Sequence, residues 1–240
     1  MFENLILPKH PLLKDARRVF IGDYDSHSRG LAGASSDYDV IMVVARPPKY
    51  YLTMSPNKDT FIVRGKLGHD RVNVTVQDIF KTMHLAKASN HILLDALHSK
   101  FQFDPLEFGK KLCAILKKPN LHGLARHYIG ISVKPITAAE ITNKELLFLL
   151  WAVGRAMYIV NQRRQAPIEL DALVYPDMIR EAIEKLKIYK HNPSLFPVPE
   201  YLKFYCESSQ SNVRKESLPT GNISMRKLEA LLKEELNRAL

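Results

Sequence analysis

Five consecutive apolar residues, Val40-Ile41-Met42-Val43-Val44, follow directly on Asp37-Tyr38-Asp39, and this junction constrains the fold more than any other stretch. A continuous run of Val, Ile and Met reads as a strand buried on both faces. Alternate side chains of a strand share a face, so Asp37 and Asp39 are expected side by side with Tyr38 turned away. Two carboxylates at one strand edge repel unless a cation lies between them. A divalent ion meets that need, and Mg²⁺ is commonly held by one or two carboxylates together with substrate phosphates. Ahead of the pair runs a small polar loop that begins at Ser26 and carries Gly30 and Gly33.

The flanking elements follow from pattern. Residues 17–24 read as a first strand and residues 37–45 as the second, stopped by Arg46-Pro47-Pro48. Residues 47–60 form a proline-bearing excursion. Residues 61–66 and 72–76 then predict a hairpin with a loop of about five residues. Val72, Val74 and Val76 alternate with Asn73 and Thr75, which places the two polar residues on the opposite face. Asp78 is suited to cap a helix that runs to Ala88, and a second short helix follows Asn90.

From about residue 104 the pattern is helical, over 105–118, 121–133, 142–162 and 176–189. A proline-bearing polar loop is expected over 190–222, then a last helix after Ser224 with Leu228, Leu231, Leu232 and Leu236 in one stripe. Strands first and helices afterwards predict an α+β chain. A small mixed sheet domain is expected over 1–100 and a helical domain over 101–240.

Thirty-five Lys and Arg against 25 Asp and Glu leave a formal charge of +10. The excess is spread over both halves and favours a polyanionic partner such as nucleotide or nucleic acid. No apolar stretch approaches the ~18 residues of a membrane span. The N-terminus lacks the plan of a signal peptide, and Cys113 and Cys206 stand alone, so no membrane association and a reducing, cytoplasmic setting are expected. The sequence holds no phosphate-binding Walker loop, no dinucleotide fingerprint and no zinc spacing.

Ser26, ten intervening residues, and then Asp37-Tyr38-Asp39-Val40, with Gly30-Leu31-Ala32 in register between them, resemble the signature of the DNA polymerase β-like nucleotidyltransferases. The nearest resemblance is to a bacterial and phage group of predicted nucleotidyltransferases. It implies a Mg²⁺- or Mn²⁺-dependent transfer of a nucleoside monophosphate from ATP or another NTP to a hydroxyl of a protein, an RNA or a small molecule. By the same resemblance Asp37 and Asp39 are the catalytic metal carboxylates. Ser26 is the phosphate-loop serine, with His27 and Arg29 beside it as further nucleotide-binding candidates. A third metal ligand is expected at Asn73.

Two positions depart from the family pattern. Asp25 stands where glycine is expected, unless the loop is slipped so that Gly22-Asp23 takes that place. Asn73 stands where a third carboxylate is expected, and an amide neither accepts a proton as a base nor adds charge. Asp70 in the preceding turn is an alternative third ligand. The departures open a second reading, a chain that keeps the fold and binds nucleotide or nucleic acid without turnover. A basic nucleic-acid-binding protein with a structural acidic pair is a third.

Overall fold

The computed structural model describes residues 2–33, 36–52, 58–137 and 140–238. The chain forms two compact units, one of residues 1–119 with 222–240 and the other of residues 120–221. The first is built on a mixed five-stranded sheet of β1 Arg17–Asp23, β2 Tyr38–Ala45, β3 Thr60–Leu67, β4 Asp70–Asp78 and β5 Gln102–Phe103, in the order β3-β4-β2-β1-β5. β2 and β4 are parallel and the remaining neighbours antiparallel. Val40, Met42 and Val44 of β2 pack with Val72, Val74 and Val76 of β4, and Phe2 and Leu5 cover that face. Ile41 and Val43, pointing the other way, are also fully buried. The apolar run is thus a central strand with no solvent face, which is why it shows no alternation.

The β3–β4 hairpin is tighter than the five-residue loop expected. Leu67 pairs with Asp70, and only Gly68 and His69 turn, Gly68 at φ +61°. The ladder extends through residues of low strand propensity because each added pair satisfies main-chain groups. The short strand β5 was not foreseen; its two residues pair with Gly22 and Ile21 at the edge beside β1. Of the excursion expected over 47–60, residues 53–57 lie outside the described set.

After β4 come α1 Ile79–Lys87 and α2 His91–His98, and after β5 comes α3 Phe108–Ile115. Asp78 caps α1 as expected, its side chain accepting from the Phe80 N–H at 2.9 Å, and Asn90 caps α2 by accepting from Leu93 at 3.1 Å. The second unit holds α4 Leu121–Thr137, α5 Asn143–Gln162, α6 Asp177–Ile188 and α7 Glu200–Lys215. A capping box between Thr142 and Glu145 starts α5, and Trp151 in its middle is fully buried with its indole N–H on the Ile168 carbonyl at 2.7 Å.

The 16-residue α7 overturns the expected loop over 190–222. Pro199 sits at its cap, outside the helix, so the prolines of the segment delimit a helix rather than exclude one. Its buried positions, Leu202, Cys206, Ser209 and Val213, keep helical spacing, but Ser209 breaks the apolar signal in the sequence.

The last helix, α8 Met225–Asn237, belongs to the first unit. Leu228 and Leu231 of the predicted stripe are buried. Glu235, fully buried, accepts from Arg17 of β1 at 2.8 Å and from Arg238 at 3.0 Å. Among the described residues no helix is long and apolar enough to cross a membrane.

Candidate active site

The geometry of the acidic pair follows from sheet register. Asp39 of β2 lies opposite Asn73 of β4, and Asn73 lies opposite Arg64 of β3. Directly paired residues point to the same side of a sheet, so these three form one row. Lys66 and Arg71 pair in the next row on the same face. Asp37 ends the coil that leads into β2, is exposed, and lines a cleft of about 550 Å³ with Arg64, Lys66, Arg71 and Asn73. Tyr38 between the two aspartates is buried on the opposite, core face. The alternation inferred from sequence therefore holds at this junction.

Asn73 Nδ2 donates to Asp39 Oδ1 at 3.2 Å. Burial holds the Asp39 carboxyl above its ordinary range; the Asn73 bond works the other way, and the charges of Asp25 and Asp23 add to the upward push. Asp25 lies close enough for its carboxylate to bear on Asp39. Asp70 is one residue out of phase with Asn73 and belongs to the other face. Bringing it opposite Asp39 would need a three-residue slip, and any odd slip turns Val72, Val74 and Val76 out of the core. Asp70 is therefore no substitute for a third carboxylate on this face.

The loop after β1 is wound into a turn. Arg29 N–H donates to the Asp25 carbonyl at 3.0 Å and Leu31 N–H to the Ser26 carbonyl at 2.8 Å, and Gly30 closes it at φ +72°. Asp25 itself has no positive φ, so its backbone does not require the glycine of the family pattern. Ser26 is half-exposed in this turn, and the N–H groups of Ser26 and His27 have no partner among the described residues. The slipped alternative is excluded: Gly22 and Asp23 are inside β1, and a Cβ on Gly22 would lie 2.5 Å from the Ala96 carbonyl.

His27 and Arg29 have local work. The His27 ring stacks on Tyr38 with centroids 3.8 Å apart, and its Nε2 meets the Ser36 carbonyl at 3.1 Å, tying the loop to the start of β2. Arg29 is ion-paired with Asp25 and also reaches the Tyr24 carbonyl. Asp25, the carboxylate that looked repulsive beside a triphosphate, is thereby partly neutralised within its own turn.

Four residues here escape the sequence reading, and a fifth, Asp23, enters it only through the slipped loop. Ser28 anchors the loop: its N–H donates to the Asp23 carboxylate at 2.8 Å, and its hydroxyl meets the Asp23 carbonyl at 2.9 Å and Ser99 at 2.8 Å. Asp23 is fully buried, burial pushes its carboxyl upward, and its Oδ1 has no partner among the described residues. The others are Arg64, Lys66 and Arg71. Each is exposed and without an ion pair among the described residues. Lys66 and Arg71 oppose each other directly, an arrangement unfavourable without an anion between them. The alternation Phe61, Val63 inward and Arg64, Lys66 outward was the available signal.

The donor chemistry fits a divalent metal. Asp37 borders an open cleft beside Asn73, Asp39 lies opposite Asn73, and the Asp25 carboxylate pushes the Asp39 carboxyl upward, a strain that a cation relieves. Among the described residues no three His, Cys, Asp or Glu side chains surround a common point. The protein would therefore supply Asp37 and Asp39, and substrate oxygens and water the remaining ligands, as is usual for Mg²⁺.

A mixed sheet that presents an acidic pair from a central strand, beside a serine loop and with helices behind it, defines the polymerase β-like class of nucleotidyltransferases. Within that class the chain belongs to the RNA repair pathway DNA polymerase beta family, whose model matches residues 14–198. A nucleotidyltransferase-like protein from Exiguobacterium sibiricum 255-15 matches in structure over 92% of this chain and 74% of its own, at 10% identity and a TM-score of 0.30, too distant to position any residue. No curated protein sequence matches the chain.

Proposed function

We propose that this chain transfers a nucleoside monophosphate from a nucleoside triphosphate to a hydroxyl acceptor, at Asp37 and Asp39. The observation that carries the reading is one sheet face on which Asp37 and Asn73 line a cleft with three cations while Asp39 lies opposite Asn73 and accepts from it. A metal bound by Asp37 and Asp39, Mg²⁺ or Mn²⁺, would supply charge stabilisation for the entering and leaving oxygens. The chain's own part is positioning. The Ser26 hydroxyl and the Ser26 and His27 amides are donors for the triphosphate. His27 and Arg29 hold that turn in shape through Tyr38 and Asp25. Asn73 orients Asp39 through its amide nitrogen and offers its amide oxygen as the neutral third ligand. The family's name points to RNA as the first acceptor to test.

The experiment is incubation with α-labelled NTPs and Mg²⁺ or Mn²⁺, with RNA and cell extract as acceptors. Label on a macromolecule together with released pyrophosphate supports the reading; neither, under any NTP, overturns it. The amide at the third-carboxylate position favours one competing reading, binding without turnover. Asn73→Asp separates the two. Restoring a general base contributes ~10²–10⁴-fold, so a wild type that binds NTP without releasing pyrophosphate, joined to a variant that releases it, selects the binding protein.

A further inference from the structure

Arg64, Lys66 and Arg71 lie on the β3–β4 side of the carboxylates, whereas the Ser26 turn follows β1 on the other side, because β2 stands between β4 and β1 in the sheet. In phosphoryl transfer the attacking and leaving oxygens are roughly in line across the phosphorus. With the triphosphate's leaving end at the Ser26 turn, the acceptor hydroxyl has to arrive from the opposite side, over β4 and β3. That approach is where the three cations stand. They line the exposed cleft that Asp37 also borders, none of them is ion-paired among the described residues, and two of them repel each other across the ladder. Residues two apart on a strand are separated by ~6.7 Å, so Arg64 and Lys66 are spaced for successive phosphates of an extended strand.

On the reading of the site given above, we infer that the acceptor is a single-stranded nucleic acid, held through its backbone phosphates by Arg64, Lys66 and Arg71. The strand enters along the outer hairpin and presents its terminal hydroxyl at Asp37 and Asn73. A small-molecule acceptor would need no such row of charges. The contacts are to phosphate, so they fix the strand's path without reading its sequence.

The test uses the full chain and a fluorescein-labelled single-stranded RNA oligonucleotide, with binding followed by anisotropy in EDTA over a range of salt concentrations. The triple variant Arg64→Gln, Lys66→Gln, Arg71→Gln is expected to bind at least about tenfold more weakly. Its slope of log affinity against log salt should be shallower by about 2, at ~0.7 per phosphate contact. Its affinity for ATP with Mg²⁺, by calorimetry, should stay within twofold of wild type. A control triple, Lys9→Gln, Lys14→Gln, Lys87→Gln, removes the same charge from exposed positions elsewhere in the first unit and is expected to bind RNA as wild type does. Equal losses in the two triples reduce the effect to bulk charge and overturn the inference. So does a parallel loss of ATP affinity, which assigns the cations to the triphosphate, or an unchanged RNA slope. Failure of the catalytic reading looks different: RNA binds through the strip, and no label is transferred to it.

Discussion

Asp39→Asn is expected to lower nucleotidyl transfer by at least about a thousandfold, since metal charge stabilisation is worth several kcal/mol and each 1.36 kcal/mol is tenfold. Asp37→Asn should lose a comparable factor. The same Asp39 substitution is expected to leave the fold intact or improve it. Burial and the neighbouring acids hold the Asp39 carboxyl above the ordinary range of an aspartate. An acid whose pKa is raised on folding contributes stability that is fully present below its unfolded pKa. That contribution disappears as pH rises through the folded value. At neutral pH the ionised Asp39 therefore opposes folding, and the amide removes the opposition. Thermal melts of wild type and Asp39→Asn at pH 7 check this: the variant's Tm should equal or exceed the wild type's. A large fall in Tm would make Asp39 a structural residue and remove the meaning of its lost activity.

The largest stability effect is expected at Asp78. Asp78 receives Arg46 Nη1 at 2.6 Å and the Tyr51 hydroxyl at 3.0 Å while capping α1, and both charged side chains are almost wholly buried. Arg46 also donates to the Leu12 carbonyl at 3.2 and 3.3 Å and lies over the Tyr50 ring. Burial still raises the Asp78 carboxyl above its ordinary value, so desolvation outweighs the Arg46 charge. The pair is thus a weak source of net stability but a costly one to break. Asp78→Ala, which leaves Arg46 buried without its carboxylate, should cost about 3–5 kcal/mol in urea unfolding. The double variant Arg46→Met, Asp78→Leu should recover most of that loss, because no unpaired charge remains. A double variant no more stable than Asp78→Ala would show that the cap and the Tyr51 bond, rather than the ion pair, dominate.

Asp78 also shows how far the sequence could be read. Its place at the start of a helix was legible, because capping is a local rule. Its buried partner, 32 residues earlier, was not, because Arg46 beside two prolines looks like an ordinary strand end. The same division holds at the site. Asp37 and Asp39 could be placed on one face by counting in twos along a buried strand, and Asn73 was put beside them only by the family resemblance. Arg64, Lys66 and Arg71 join them only through the parallel register of β2 with β4 together with the antiparallel register of β3 with β4, and no local pattern reveals the first. Ser26 looked like the important serine of its loop, yet the buried one is Ser28, held by Asp23 and Ser99. In α7 a serine at a core position hid a helix that the prolines merely bracket.

The most direct test of Asp37 and Asp39 as a metal–nucleotide site is electron paramagnetic resonance of Mn²⁺ titrated into the protein with a nucleotide analogue that cannot be cleaved at its α-phosphate. Wild type and the Arg64→Gln, Lys66→Gln, Arg71→Gln triple should both withdraw Mn²⁺–nucleotide from the free signal, and the Asp37→Asn, Asp39→Asn double should not. Equal withdrawal by the double variant would contradict the assignment and move the metal, and the chemistry with it, elsewhere on the chain.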